Sequence, residues 1–321
     1  MEQRYLGRSG TRVSRLGLGT VTWGPQVDQH EAGEQLRAFL DAGGTLVDTA
    51  DVYGHGESER IIGGLLREVV DREEIVLATK AGLVEGDRRA DLSRRHLLRA
   101  LDQSLARLGT DHVDLWYLHQ WDPATPYEET LAACDIAVTS GRVRYVGISN
   151  FSGWQTGTAA TWQRSHPARA DIVATQVEYS LLQRGVEREV MTAAVEHGLG
   201  VLAWGPLGRG VLTGKYRGGG VPAESRAAIP QYEPFVREYL SEDHSRVVNS
   251  VVTAAEGLDT TPLVVALAWV RDRPGVTSAV VGARTVAQLK SSLQAEEITL
   301  PDEIRRALDD VSAPALSYPE R

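Results

Sequence analysis

Cysteine is all but absent from the 321 residues: Cys134 stands alone. One thiol excludes an intramolecular disulfide and a cysteine-based zinc site. It suits a reducing compartment, so a cytoplasmic location is expected. Long apolar runs are missing as well. The longest, Leu263 to Val270, falls far short of the roughly 20 residues that span a bilayer. No apolar signal core follows Met1 to Tyr5, and no membrane insertion is expected. Positive charge is in the minority, with 34 Lys+Arg against 43 Asp+Glu and a net charge of −9. A nucleic-acid partner would require a basic face, so none is expected. An anionic small molecule stays open, because its site needs only local positive charge.

What is present reads as a globular chain: 42% hydrophobic and 24% charged residues are ordinary values. The length suits two common domains or one large α/β barrel of about 250 residues. No low-complexity segment or linker divides it. Short apolar strand-like runs alternate with amphipathic helical stretches. The strand-like runs are 16–20, 45–48, 75–79, 113–118, 143–149, 172–176, 200–204 and 278–281. Helical stretches lie at 31–42, 58–68, 93–108, 127–138, 154–162, 186–197, 262–270 and 285–293. The C-terminal ends of the runs are 27 to 39 residues apart, except the last pair, 77 apart. The first six spacings each hold one βα unit, and the last must hold a long loop and an extra helix. Eight such units predict a closed parallel (β/α)₈ TIM barrel forming a single domain over 1–321. A doubly wound open sheet would carry a third glycine at its first βα turn, and Gly17-Leu-Gly-Thr20 lacks it. Arg4 to Ser14 reads as an N-terminal β-hairpin that plugs the barrel. Residues 296–321 read as a charged helix and a C-terminal flap beginning at Ala313-Pro314.

Active sites of such barrels lie at the C-terminal ends of the strands. Asp48 ends the second run, Lys80 follows the third and His119 follows the fourth, with Tyr53 five residues beyond Asp48. Each has a plain structural reading: a turn cap, a snorkelling lysine, a satisfied imidazole, a packed ring. Together they form a set suited to proton transfer. A phenol is a poor acid at neutral pH, and a nearby ammonium is expected to lower its pKa. Asp48 would hold the charge on a buried Lys80, and His119 would orient a carbonyl. None of these residues carries a hydride, so a nicotinamide cofactor is implied. A catalytic metal is not expected: His55, His96, His112 and His119 fall in no ligand spacing, and Lys80 would repel a divalent cation.

Eight segments, in order, resemble the aldo-keto reductase family, most closely its bacterial and potassium-channel β-subunit branch. They are Gly17-Leu-Gly-Thr20, Asp48-Thr-Ala-Asp-Val-Tyr53-Gly54, Ala78-Thr-Lys80, Asp114-Leu-Trp-Tyr-Leu-His119, Gly147-Ile-Ser-Asn150-Phe151, Gln176-Val-Glu-Tyr-Ser180, the 205–216 stretch and Gly282-Ala-Arg284. The resemblance implies a catalytic tetrad of Asp48, Tyr53, Lys80 and His119, with Tyr53 as general acid. It implies that Ser149, Asn150 and Gln176 hold the nicotinamide carboxamide and that Trp204 stacks on the ring. Thr20, Asp48 and Lys215 fall at cofactor positions too.

The run Gly205-Pro206-Leu207-Gly-Arg-Gly210 offers backbone N–H groups that can cradle a pyrophosphate, and Gly218-Gly-Gly220 extends it either as a stretch able to close over the cofactor or as a solvated loop. Gly282-Ala-Arg284 opens a helix, a natural phosphate site. The resemblance places NADP(H)'s 2′-phosphate there and Gln288 on adenine. Where the family has an asparagine for adenine, this chain has Ser292. Trp23, Trp121 and Phe151 lie just past strand ends and read either as the wall of an apolar substrate pocket around Tyr53 and His119 or as packing residues. The expected activity is NADPH-dependent reduction of an aldehyde or ketone, a small-molecule carbonyl. A slowly turning redox-sensing regulatory subunit is the alternative. The sequence leaves the physiological substrate and any homo-oligomer open.

Overall fold

Runs of Val, Leu and Ala offer no polar face to water, and they fold as strands covered on both sides. In the computed structural model, which describes residues 1–84, 89–223, 225–230 and 232–314, eight such runs close into a parallel barrel. Ahead of them, β1 (Gln3–Tyr5) and β2 (Arg12–Ser14) form an antiparallel hairpin. The barrel strands are β3 (Leu16–Gly19), β4 (Leu46–Asp48), β5 (Val76–Ala81), β6 (Val113–Leu118), β7 (Val143–Ser149), β8 (Ile172–Glu178), β9 (Gly200–Trp204) and β10 (Val276–Val281). They follow one another around the barrel, and β10 returns to pair with β3.

Helices α1 (Gln29–Asp41), α2 (Glu57–Glu68), α3 (Arg94–Leu108), α4 (Tyr127–Thr139), α5 (Gly153–Arg164) and α6 (Val190–Glu196) fill the first six connections. The long seventh holds α7 (Glu233–Arg237), α8 (Glu242–Gly257) and α9 (Pro262–Arg271), with short 3₁₀ turns before them. After β10 come α10 (Val286–Leu293) and α11 (Asp302–Val311). Local chemistry sets the ends. Ser152 and Gln155 make a reciprocal capping box at α5, satisfying N–H groups that the helix itself cannot. Thr261 caps α9 with Pro262 just inside it, where the missing N–H costs nothing. The apolar run Leu263 to Val270 lies in α9 and is buried from Val264 onward. No single helix among the described residues is long and apolar enough to cross a membrane.

Two cores follow from this layering. Inside the barrel, Leu46, Ala78, Leu115, Tyr117, Ala174, Leu202 and Val280 pack together with Leu6 and Val13 of the hairpin region. The hairpin thus plugs the N-terminal end, fastened where the Arg8 N–H donates to the Gly198 carbonyl at 2.9 Å. Outside, the helices bury their apolar stripes on the strands. Gly147 shows how tight the inner core is: a Cβ there would lie 2.5 Å from the Tyr117 ring.

The structure departs from the sequence expectation in a few places. The stretch 186–197 is not one helix: a 3₁₀ turn covers Gly185–Glu187 and α6 starts at Val190. Glu187 is drawn aside by Arg184 at 2.8 Å and by the Tyr179 hydroxyl at 2.5 Å, and Glu189 leaves helical space with φ −131°. Of the two readings of the triglycine 218–220, the solvated loop fits: it is exposed and does not border the cleft described below. Of the expected C-terminal flap, α11 is seated on α8 through Leu308. Residues 315–321 lie outside the described residues.

Candidate active site

Parallel strands all aim their carboxyl ends at one rim, so residues far apart in sequence meet there. Asp48 ends β4 and pairs in register with Ala78 of β5, while Lys80 pairs with Tyr117 of β6. This register brings the Lys80 Nζ to 2.5 Å from Asp48 Oδ1, 2.9 Å from the Thr49 carbonyl and 3.5 Å from the Tyr53 hydroxyl. Both members of the ion pair are almost wholly buried. The second Asp48 oxygen accepts from Gln176 Nε2 at 2.7 Å. The His119 ring stands edge-on to the Tyr53 ring, centroids 6.1 Å apart.

Burial sets the proton affinities. It would pull the Lys80 ammonium down, but the Asp48 carboxylate and Tyr53 reverse this and leave its pKa raised. Lys80 is therefore a cation at neutral pH. The Tyr53 phenol is also raised, because burial outweighs the pull of the Lys80 ammonium. This corrects the sequence expectation of a lowered phenol, for charge proximity is only one of two opposing effects. Burial, then the Lys80 charge, lowers His119 to about 3, so its imidazole is neutral at pH 7. Its Nδ1 has no hydrogen-bond partner among the described residues.

A cleft of about 490 Å³ runs from this cluster across the rim. Its lining includes Asp48, Tyr53, His119, Ser149, Asn150, Gln176 and Trp204 at one end, and Gly282, Arg284, Gln288 and Ser292 at the other. Asn150 adopts φ 57°. Its amide donates to the His119 carbonyl at 3.0 Å and accepts the Trp204 indole N–H at 3.0 Å. The Ser149 hydroxyl donates to the Gln176 carbonyl at 2.9 Å. Thr20 borders the cleft, but its hydroxyl donates to the Asp48 carbonyl and accepts from Ser58. It props the Asp48 turn. Between the ends, Gly205, Pro206, Leu207, Gly210 and Lys215 line the wall. Positive φ at Gly205, Gly208, Arg209 and Gly210 coils this loop away from regular structure.

Sequence reasoning missed several lining residues. Arg226 is one: burial and the cations Arg209 and Arg284 hold it below the usual guanidinium range. Burial, Arg226 and Arg284 lower Lys215 in the same way. Lys215, Arg226 and Arg284 around one cleft make a donor set for a polyanion. Nothing in Ser225-Arg226-Ala227 marks this arginine locally. Arg209 is another, forked onto Glu178 at 3.0 and 3.2 Å and lying 4.9 Å from the Phe235 ring centroid. Outside the lining, Glu31 reaches from α1 to the start of α10 and accepts the Val286 N–H at 2.5 Å. The Arg284 N–H goes to Gln288 Oε1 at 3.0 Å, and the Ser292 hydroxyl goes to the Gln288 carbonyl. Part of the helix start is thus spent within the protein.

The aromatic wall, one of the two readings of Trp23, Trp121 and Phe151, is not formed. Trp23 is fully buried, its indole N–H on Gln35 at 3.1 Å. Phe151 is buried beneath Trp121, and both line a small separate cavity with Tyr127. Trp121 also meets the exposed ring of Trp154 at 5.3 Å. The aromatic side chains that border the cleft itself are Tyr53, Trp204, Tyr232 and Phe235. Position just past a strand end did not say which way each ring turns. Among the described residues no group of acidic, histidine or cysteine side chains could hold a metal ion.

Comparison with known proteins agrees with this architecture. The family model described as Aldo/keto reductase family matches residues 15–313. A "Probable voltage-gated potassium channel subunit beta" of Oryza sativa subsp. japonica is 37% identical over 330 residues, covering 100% of this chain and 98% of its own. "Uncharacterized oxidoreductase YrpG" of Bacillus subtilis (strain 168) is 38% identical over 322 residues, covering 97% and 96%. "Aldo-keto reductase YhdN" of the same organism is 33% identical over 336 residues, covering 99% and 96%.

Proposed function

The chain belongs to the aldo/keto reductase family, and from that premise we propose that it is an NADPH-dependent oxidoreductase that reduces aldehyde or ketone carbonyls to alcohols. The observation that carries this reading is the buried Asp48–Lys80–Tyr53 chain opening onto a cleft with a cation-rich far end. NADPH, when bound, supplies a hydride from its nicotinamide ring. Tyr53, kept protonated by burial, gives its proton to the carbonyl oxygen. Lys80 stabilises the phenolate left behind, and Asp48 keeps Lys80 charged. Neutral His119 donates one hydrogen bond to the same oxygen and orients it. Trp204 offers a ring for stacking, and Ser149, Asn150 and Gln176 supply amide and hydroxyl partners beside it. Lys215, Arg226 and Arg284 suit the phosphates. The test is a panel of aldehydes, ketones and keto-sugars followed by loss of NADPH absorbance. Turnover of at least one class is expected, and none across the whole panel would overturn the reading.

A second reading draws on the relatives that are named as channel β subunits: a redox-sensing subunit that binds NADPH and turns over slowly. It predicts tight NADPH binding with single-turnover oxidation and little steady-state rate on every carbonyl tried.

Cofactor choice gives a sharper prediction. A charge-assisted contact from Arg284 to a 2′-phosphate contributes roughly 1.5–3 kcal/mol, about ten- to a hundredfold. Glu31 at the start of α10 works against it. NADPH is therefore expected to bind about tenfold more tightly than NADH, the low end of that range. Arg284→Ala should erase the gap by weakening NADPH, and Glu31→Gln should widen it. Quenching of tryptophan fluorescence by each cofactor reads both. Equal wild-type affinities would show that this end does not read the phosphate.

A further inference from the structure

Asp51 has no part in the mechanism above, yet it lies between Asp48 and Tyr53 on the loop that carries both. Its backbone N–H donates to the Lys80 carbonyl at 3.0 Å, which holds the loop against the strand that supplies the lysine. Its Oδ1 is buried and has no hydrogen-bond partner among the described residues. A buried, unpartnered carboxylate oxygen is costly if it is charged. A second acid is close by: Glu59 of α2 is fully buried. It accepts from Thr79 Oγ1 at 2.6 Å and from Arg107 Nε of α3 at 2.7 Å. The charged groups that bear on Asp51 are thus Glu59 from α2, Arg107 from α3 and Lys80 from β5. Glu59 holds the guanidinium in a direct ion pair, so Arg107 and, behind it, Lys80 offset the charge on Asp51 only in part.

We propose that Asp51 is a positioning residue for proton donation by Tyr53: protonated, it leaves the phenol easier to ionise; ionised, it holds the phenolic proton back. The geometry supplies the coupling. Val52 alone separates the two residues in sequence, and the Lys80 ammonium acts on both side chains. The direction follows from charge alone. A carboxylate beside a phenol raises the phenol's pKa, as Asp51 does here. Burial first, and the Glu59 carboxylate second, raise Asp51 itself to about 7. Its ionisation therefore falls within the working range of a neutral-pH enzyme. The tetrad is tuned from a site that touches neither carbonyl nor cofactor.

This inference rests on the reading of Tyr53 as proton donor, and the experiment separates the two. Wild type and Asp51→Asn are compared in the pH dependence of kcat for carbonyl reduction. Wild type should lose about three- to tenfold as pH rises through neutrality. The Asn variant, uncharged throughout, should stay on the acidic plateau. The phenol itself is titrated by phenolate absorbance, each protein measured against its Tyr53→Phe counterpart. Its midpoint should be lower in the Asn variant. That second readout needs no catalysis, so it stands even if Tyr53→Phe keeps full activity and the donor role fails.

Stability gives a third readout. The folded state holds the Asp51 proton between the ordinary carboxylate value near 3.9 and about 7, so stability falls as pH rises across that window. Asp51→Asn should therefore raise the melting temperature at pH 8 and leave it unchanged near pH 3.5. Glu59→Gln serves if the Asn variant does not fold: with the like charge gone, the wild-type limb should move to lower pH. A neutral limb that survives in Asp51→Asn, or a rate loss equal at every pH, would overturn the proposal.

Discussion

Tyr53→Phe is expected to remove carbonyl reduction by about 10²- to 10⁴-fold, the usual contribution of a positioned general acid. Cofactor affinity should stay within about twofold, because the ring is retained and only the hydroxyl is lost. That ring lies 5.1 Å from the Lys80 ammonium and edge-on to His119, so its packing survives the change. Among the described residues the deleted oxygen makes one weak hydrogen bond, to Lys80 Nζ at 3.5 Å. Lys80 keeps Asp48 and the Thr49 carbonyl as partners. The variant should accordingly fold and melt like wild type. Steady-state rates on the best carbonyl of the panel, with NADPH titrations and melting curves alongside, make the comparison. Near-normal turnover in the Phe variant would remove Tyr53 from the chemistry. A joint loss of rate and cofactor binding would show that the hydroxyl holds the cleft together instead.

The fold was legible because parallel strands buried on both faces are short apolar runs, and eight of them recur at βα spacing. Strand ends were legible for the same reason, and they led directly to Asp48, Lys80 and His119. What the sequence hid depends on contacts across the chain. Glu31 and Val286 are 255 positions apart and meet only because α1 and α10 pack together. Arg226 belongs to the long connection before β10, where no periodic pattern marks a side chain as facing the cleft. Trp23, Trp121 and Phe151 were read by position alone. A ring's direction is fixed by its neighbours, such as Gln35 for Trp23. The sign of the Tyr53 shift failed differently: the sequence shows which charges are near but not how much water is removed. Burial decided it, and burial is a property of the folded barrel.

Lys80→Met is expected to damage both rate and stability, and the two losses should have separate remedies. At the rate level, Tyr53 loses the cation that favours its phenolate. An opposite charge at this range typically accounts for about 1–3 pKa units, so the phenol should become a weaker acid and reduction should fall by roughly 10- to 10³-fold. At the stability level, Asp48 is left buried with Gln176 as its remaining side-chain partner. Breaking a buried ion pair from one side costs about 3–5 kcal/mol. In wild type, the folded chain holds the Lys80 proton more tightly than the unfolded chain does. The pair's contribution is thus fully present below the unfolded lysine's value of ~10.4, and it fades only as pH rises through the higher folded value. Between pH 5 and 9 the pair should give wild type no slope. The Met variant should instead regain stability on acidification, since protonating the orphaned carboxylate removes a buried charge. Adding Asp48→Asn should recover much of the melting temperature at pH 7, because no unpaired charge then remains. It should recover none of the rate, because the ammonium beside Tyr53 is still missing. Melting curves from pH 5 to 9, with reduction rates for the single and double variants, test this. A double variant that regains activity would mean that Lys80 acts only as a structural partner of Asp48.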